Sequence, residues 1–417
     1  MTRISRGEDL EAGDEHRQSK LLEIRHWVKY SFSPLMSSSH LQYSAALAIA
    51  ALTLSALQAN CSAAEAIPYT PPAGLVRTVA DAVLRDTPKP PDFNWGEGVL
   101  LSGMIEAHRL TKDPRYLEFV QRFAEHWSDR GIGPLLSAKG YCGHWGPAFA
   151  MLELSDLTGQ PKPLALADEV VDFMLHRATR TSDGGLDHFA GKPELWVDTL
   201  DMCCPVLVTK ARLSHRPELQ AEARHQLEIF ARHLQDPATG LFYHQWSETT
   251  GRRTTNFWAR GNGWVVLASL ETLKNELPES AGAKPLRERL GKQLASIVRL
   301  QDPASGLWHT VLDAPDTYLE TSASAMFLYG MVEGRRHKLI EPPSQACLEA
   351  AWRGLARQVD GTGQVVGISG GTGPSSREAY ARIRTGSYNY GTGAFLMAAC
   401  SWARAEAAAS ASPKPGS

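Results

Sequence analysis

Six times along the chain, a Gly-rich or small-residue turn opens into a strongly apolar helical segment. No other feature restricts the fold as much. The segments are Gly96-Glu-Gly-Val-Leu-Leu-Ser-Gly-Met, Gly146-Pro-Ala-Phe-Ala-Met-Leu and Asp198-Thr-Leu-Asp-Met-Cys-Cys-Pro-Val-Leu, then Gly263-Trp-Val-Val-Leu-Ala, Thr321-Ser-Ala-Ser-Ala-Met-Phe and Gly391-Thr-Gly-Ala-Phe-Leu-Met. They return every ~50 to 70 residues, the self-similarity of a repeat architecture. An amphipathic stretch follows each of the first five: Arg115–Trp127, Leu164–Arg177, Glu222–Leu234, Leu286–Leu300 and Ser344–Val359. After the sixth the chain turns Ala-rich and ends, so the turns around Leu75–Leu84 are expected to serve as its partner. The loops repeat as well. Gln235-Asp-Pro-Ala-Thr-Gly-Leu-Phe-Tyr-His parallels Gln301-Asp-Pro-Ala-Ser-Gly-Leu-Trp-His, with Ser182-Asp-Gly-Gly-Leu-Asp-His a looser copy. The fold expected is all-α, an (α/α)6 barrel (six-hairpin toroid) of apolar inner helices ringed by amphipathic outer ones. An open solenoid is the alternative. The small residues that begin the inner helices and the incomplete last unit favour a closed ring.

One barrel of this kind accounts for residues 67–405. Residues 1–66 read as a disordered extension followed by an export signal, and 406–417 as a disordered tail. The uncharged run Tyr43–Leu57 ends in Ala63-Ala-Glu-Ala66, an A-x-A-like processing site. It lies deep in the chain, which suggests a true start at Met36. A periplasmic or secreted protein is expected, with a membrane-anchored or cytoplasmic one as the alternative. A net charge of -2 and the lack of any basic stripe argue against nucleic acid. The six cysteines make no CxxC or zinc spacing and read as buried thiols. No metal or organic cofactor is called for, nor any membrane contact beyond the N-terminal segment. The chain is expected to be a monomer or a homodimer.

The chemistry-bearing residues cluster at the starts of the inner helices. In Asn256-Phe-Trp-Ala-Arg-Gly-Asn-Gly-Trp264, Arg260 presents a fork of donors suited to a carboxylate, and Trp258 and Trp264 present flat walls for a sugar ring. The blander reading makes both tryptophans core and pairs Arg260 with a nearby acid. Asp198 follows Trp196 and opens the third inner helix. Beside tryptophan in a partly apolar pocket, its pKa is expected to rise, as a general acid needs. The alternative is a helix cap, with Asp201 imitating a capping box. His188, His244 and His309 hold equivalent places in three of the returning loops. His188 and His244 suit hydrogen bonding to a sugar. Asn94 precedes the first inner helix and His144 the second. Such a ring of polar groups and helix N-termini suits an acidic oligosaccharide.

These motifs resemble the unsaturated glucuronyl and rhamnogalacturonyl hydrolases, glycoside hydrolase families 88 and 105, the latter more closely. The likeness rests on the Trp258–Trp264 signature, on Trp196-Val-Asp-Thr-Leu-Asp-Met and on Gly240-Leu-Phe-Tyr-His-Gln-Trp, and it spans roughly Phe93 to Ala399. It implies the same barrel and an enzyme that removes a terminal Δ4,5-unsaturated uronic acid. In that family an aspartate protonates the vinyl-ether double bond and water adds to the far carbon. The resulting hemiketal then collapses and releases the glycosidic bond. The resemblance places that aspartate at Asp198 and substrate contacts at Trp196, His188, His244, Trp258, Arg260 and Trp264. One departure stands out. Where relatives carry a second acid, this chain reads Tyr141-Cys-Gly-His-Trp-Gly-Pro, with His144 as the candidate substitute. A sugar epimerase or polysaccharide lyase on the same barrel, or a glycan-binding barrel without activity, are the competing functions.

Overall fold

A computed structural model of the chain describes residues 68–137, 140–276, 282–341 and 343–411. The inner helices are α2 (Trp95–Thr111), α5 (Pro147–Thr158), α7 (Asp198–Ser214), α9 (Ala259–Lys274), α11 (Thr321–Arg336) and α14 (Asn389–Ala411). The outer helices are α1 (Pro72–Asp86), α3 (Pro114–Arg130), α6 (Pro161–His176), α8 (Pro217–Leu234), α10 (Ala283–Arg299) and α12 (Gln345–Ala356). Two short helices, α4 (Gly133–Ser137) and α13 (Arg377–Ala381), lie in loops. Each inner helix packs on the next, from α2 through α5, α7, α9 and α11 to α14, and α14 returns to α2. The ring is therefore closed, which excludes the open solenoid. As the sequence suggests, α1 serves as the outer partner of α14.

Hydrophobic pattern separates the two layers. On α3 the buried residues are Tyr116, Phe119, Val120, Phe123 and Ala124, the one-sided stripe of a helix with a wet face. On α9 every residue from Ala259 to Leu273 is buried, the all-round burial of a helix enclosed by others. Enclosure at this density requires close backbones. At the closing seam, α2 and α14 touch main chain to main chain. A Cβ on Gly103 would lie 2.7 Å from the Gly393 carbonyl oxygen, and one on Gly393 would press into the Val99 carbonyl. Gly393→Ala is expected to lower stability by about 1–3 kcal/mol through overpacking, measured as a drop in the thermal midpoint. A variant as stable as the wild type would mean that the seam has slack.

The repeated loops adopt one conformation. Gly240 (φ +78°) and Gly306 (φ +76°) take the left-handed turn that their Asp-Pro-Ala-x-Gly sequences require. Asp236 and Asp302 receive the Gly240 and Gly306 amides on their carbonyls at 2.8 Å, while the Gln235 and Gln301 side chains reach the carbonyls of the same glycines. Small sheets stiffen the loop end of the barrel. Strand β1 (Glu194–Trp196) pairs antiparallel with β2 (Gln245–Ser247), and β2 pairs with β3 (Arg252–Arg253). Strand β4 (Ile368–Ser369) pairs with β5 (Thr385–Gly386).

One boundary needs correction. The tail expected to be disordered from 406 is helical as far as Ala411. Its Ala-rich composition has high helix propensity, and Arg404 anchors the preceding turn to Glu106 on α2. Residues 412–417 and the whole extension with its export-signal reading lie outside the described residues. Among the described residues, no helix is long and apolar enough to cross a membrane. Cys142, Cys203, Cys204, Cys347 and Cys400 are buried, as expected.

Candidate active site

The loop end of the barrel holds a cavity of about 230 Å³. Its floor carries Asp198 and Met202, from the first turns of α7. Trp196, from the end of β1, Trp258, which precedes α9, and Trp95, from the start of α2, all contribute to its walls. His188, Phe189, Tyr141 and the Gly371–Gly373 loop complete the lining.

Asp198 does not cap its helix. Val197 occupies the cap position and no side chain satisfies the first amides. The carboxyl is directed at His244 instead, whose Nε2 lies 3.2 Å from Oδ2 in ion-pair contact. The alignment there is not that of a hydrogen bond, and both atoms lack any other protein partner. The β1–β2 ladder brings the two residues together. Trp196 pairs with Gln245, and the Val197 amide donates to the His244 carbonyl at 3.0 Å. Asp201 is turned away, into a narrow internal cavity along the barrel axis beside Gly98, Gly146 and Glu271. Neither aspartate therefore behaves as the capping box requires.

The expected direction of the Asp198 pKa is overturned. Burial does push it up, but His244, supported by His188, outweighs burial and holds the carboxyl below the ordinary carboxylate range. Tryptophan proximity suggested a neutral acid. The decisive neighbour is a histidine from another loop. Burial lowers His188 itself to about 4, against a smaller opposing pull from Asp198. Its ring stacks on Trp196 (4.2 Å, 7°), and its Nδ1 lies 3.2 Å from both Cys142 Sγ and Thr199 Oγ1.

The structure brings Asp198, Trp196, His188, His244, Trp258 and Arg260 into one constellation. His244 is fully enclosed, stacked on Trp258 (4.2 Å, 30°). Arg260 lines the cavity, yet its fork is occupied. Nη1 donates to the Ser369 carbonyl and hydroxyl, and Nη2 donates to Gly370 O and Thr372 Oγ1, each at 3.0 Å. Glu320 Oε1 lies 3.8 Å away. The bland reading of Arg260, a cation paired with a nearby acid, thus holds in large part. The guanidinium is also sandwiched between Trp258 and Tyr390, 4.8 Å from each ring.

Besides the enclosed His244, which does not line the cavity, three further expected contacts lie off its wall. Trp264 sits beneath it, edge-on to Trp95 at 5.9 Å, and is 1% exposed. The helical spacing of Trp258 and Trp264 sends the second ring inward. Asn94 precedes α2 with Oδ1 buried and unpartnered, and Trp95 takes its place on the wall. His144 ends a 3-10 turn (Cys142–His144) against Tyr141 and the Leu135 backbone, so Tyr141, Cys142 and Gly143 form the wall there. Along Tyr141–Pro147 the cavity therefore meets aromatic and thiol surface rather than His144. His309 is spent on its own loop, bonded to the Thr317 carbonyl.

Two participants escape sequence reasoning. Glu320 caps α11 through Ser322 and Ala323 and also accepts the Ser369 amide, which ties the glycine loop to the barrel. Tyr380, on α13, places its hydroxyl 2.8 Å from His244 Nδ1. Glu320 directly precedes the fifth repeated helix start but was not singled out there, and Tyr380 lies in no repeated motif. Among the described residues, no group of three or more His, Cys, Asp or Glu side chains is placed to hold a metal ion.

Comparison with known proteins follows the same lines. The sequence model of Glycosyl Hydrolase Family 88 matches residues 75–406. The unsaturated rhamnogalacturonyl hydrolase YesR of Bacillus subtilis is 31% identical over 312 residues, covering 71% of this chain and 85% of the relative. The unsaturated 3S-rhamnoglycuronyl hydrolase of Formosa agariphila is 28% identical over 324 residues, covering 73% and 83%. The crystal structure of a possible member of the GH105 family from Salmonella enterica superimposes with a TM-score of 0.73 at 26% identity, covering 80% of this chain and 93% of that one.

Proposed function

The chain belongs to Glycosyl Hydrolase Family 88, and from that premise we propose that the cavity around Asp198 binds the terminal Δ4,5-unsaturated uronic acid of an acidic oligosaccharide and hydrates its double bond. The observation that carries this reading is the Asp198–His244 contact of 3.2 Å on the floor of an aromatic-walled cavity of about 230 Å³. That space suits one sugar ring. Trp196 and Trp95 offer ring surface to it, and the buried indole N–H of Trp258, which has no protein partner, offers a donor to a hydroxyl.

Asp198 is the acid and the base of the reaction. An anionic uronate closing over the carboxyl favours its protonated form through like-charge repulsion and loss of water. Protonated Asp198 gives its proton to C4, and the positive charge that develops at C5 is shared with the ring oxygen. Water adds to C5 and returns a proton to the Asp198 carboxylate. The hemiketal so formed opens to a ketone at C5, and the hemiacetal left at C1 releases the next sugar. His244 steadies the carboxylate that exists between the two proton transfers. Arg260 contributes a fixed buried charge to the wall.

Rhamnose as the neighbouring sugar is the reading favoured by the two relatives, both of which are named for rhamno-substrates. The test is absorbance at the unsaturated-uronate band, with the purified barrel acting on lyase digests of several acidic polysaccharides. The expected result is a fall in absorbance on a rhamnose-containing digest. A rise on intact polysaccharide would instead mark a lyase. Binding without any change would mark a glycan-binding barrel.

A further inference from the structure

Tyr380 stands behind the cavity, in the loop segment between α12 and α14 that has no counterpart elsewhere in the repeat. Its side chain is fully enclosed, and its ring lies parallel to Trp258 (6.5 Å, 3°). The hydroxyl accepts the Ser375 amide at 3.2 Å. Its own proton then needs a lone pair, and His244 Nδ1 at 2.8 Å supplies one. With Nδ1 accepting, a neutral imidazole carries its proton on Nε2, the atom that faces Asp198 Oδ2.

We propose that Tyr380 is a positioning residue that fixes His244 in the tautomer whose Nε2–H faces Asp198, making Asp198 a stronger acid. This rests on Asp198 being the proton donor to the substrate. When Asp198 gives up its proton, an Nε2–H stabilises the carboxylate left behind, whereas a bare Nε2 lone pair would repel it. The other groups facing Asp198 do not perform this task. Burial keeps the Tyr141, Tyr380 and Cys142 protons in place and keeps His188 neutral near pH 7. Asp201, one helical turn on, is likewise pushed up by burial. The Arg260 charge is spent on Glu320 and the glycine loop. Of these side chains, His244 is the one in contact with the carboxyl, its Nε2 3.2 Å from Oδ2.

Tyr380→Phe keeps the ring and its packing and deletes only the hydroxyl. A weaker acid is slower when protonated but stays protonated to higher pH. The expected result is therefore a plateau of kcat/KM lowered about tenfold at acid pH, with the descending limb displaced to higher pH. A structural defect would lower the plateau and leave the limb in place, and that outcome overturns the proposal. The second measurement is the tautomer itself, read from the nitrogen-15 spectrum of histidine-labelled protein, with His244→Gln assigning the signal. Wild type is expected to carry the proton on Nε2, and Tyr380→Phe to show a mixture. A wild-type proton on Nδ1 would overturn the proposal whatever the kinetics. The spectrum needs no turnover. An inactive protein with the expected tautomer would therefore fault the assigned reaction and leave the Tyr380–His244 arrangement standing.

Discussion

Asp198→Asn is expected to lower kcat by about 10³-fold, within the range that a positioned general acid contributes, while the protein stays folded. Folding should survive because Asp198 caps no helix, and an amide oxygen can still face His244 Nε2. What is lost is the proton. An amide neither donates one to C4 nor recovers one from water. The wild-type pH profile follows from the same site. An acid that must be protonated loses activity as pH rises through its pKa. In the free enzyme, burial raises the Asp198 pKa but His244 and His188 more than offset it, so the carboxyl lies below the ordinary range. The descending limb of kcat/KM, which reports the free enzyme, should therefore fall at acid pH. The limb of kcat, which reports the complex, should lie higher, because a bound uronate raises the Asp198 pKa. Steady-state kinetics on an unsaturated disaccharide from pH 3 to 9 would check both. Full activity in Asp198→Asn would remove the residue from the mechanism. Coincident limbs would show that the substrate does not bring its charge close to Asp198.

The same site shows where reading the sequence succeeds and where it stops. The barrel was legible because its cause is periodic. Enclosed helices must be apolar all round and must start on small residues, and the two Gln-Asp-Pro loops repeat their turn chemistry almost letter for letter. Asp198, His188 and His244 were legible as places, since each follows from its position within a repeat unit. Their electrostatics were not. Whether Asp198 is raised or lowered depends on the 3.2 Å contact with His244, which β-pairing between two separate loops creates. Trp264 misled because the signature that contains it spans a helix start, where one tryptophan faces the cavity and the next faces the core. His144 misled because residue type at a helix start does not say which side of a 3-10 turn the ring takes. Tyr380 lies in a segment whose value is entirely tertiary, and the Glu320 bond to the Ser369 amide joins segments far apart in the chain.

Arg260 is where the two sequence readings come apart, and Arg260→Met separates them. A residue whose fork exists for a substrate carboxylate would, when lost, raise KM and leave stability alone. Here the fork is bonded within the protein, to Ser369, Gly370 and Thr372, with Glu320 alongside, and the side chain is 1% exposed. Removing it leaves two carbonyls and two hydroxyls short of a donor, and Glu320 short of its counter-charge. Glu320 retains the Ser322, Ala323 and Ser369 amides, and Ser369 O retains the Tyr390 hydroxyl, so the loss is not complete. Breaking a buried pair by deleting one partner typically costs about 3–5 kcal/mol, and a similar figure is expected here, read as a lowered denaturant midpoint. The loss should concentrate at the glycine loop, where amide hydrogen exchange over 369–373 should quicken more than at the α2–α14 seam. Arg260→Lys restores a charge without the fork. It should recover little of the stability, because one ammonium cannot bridge the Ser369 and Gly370 carbonyls as two guanidinium nitrogens do. Since the Gly371–Gly373 loop is itself part of the cavity wall, KM should rise in both variants as a consequence of the freed loop. Unchanged stability with a raised KM would reverse the assignment, making Arg260 first a ligand for the substrate and only second a strut for the loop that walls it in.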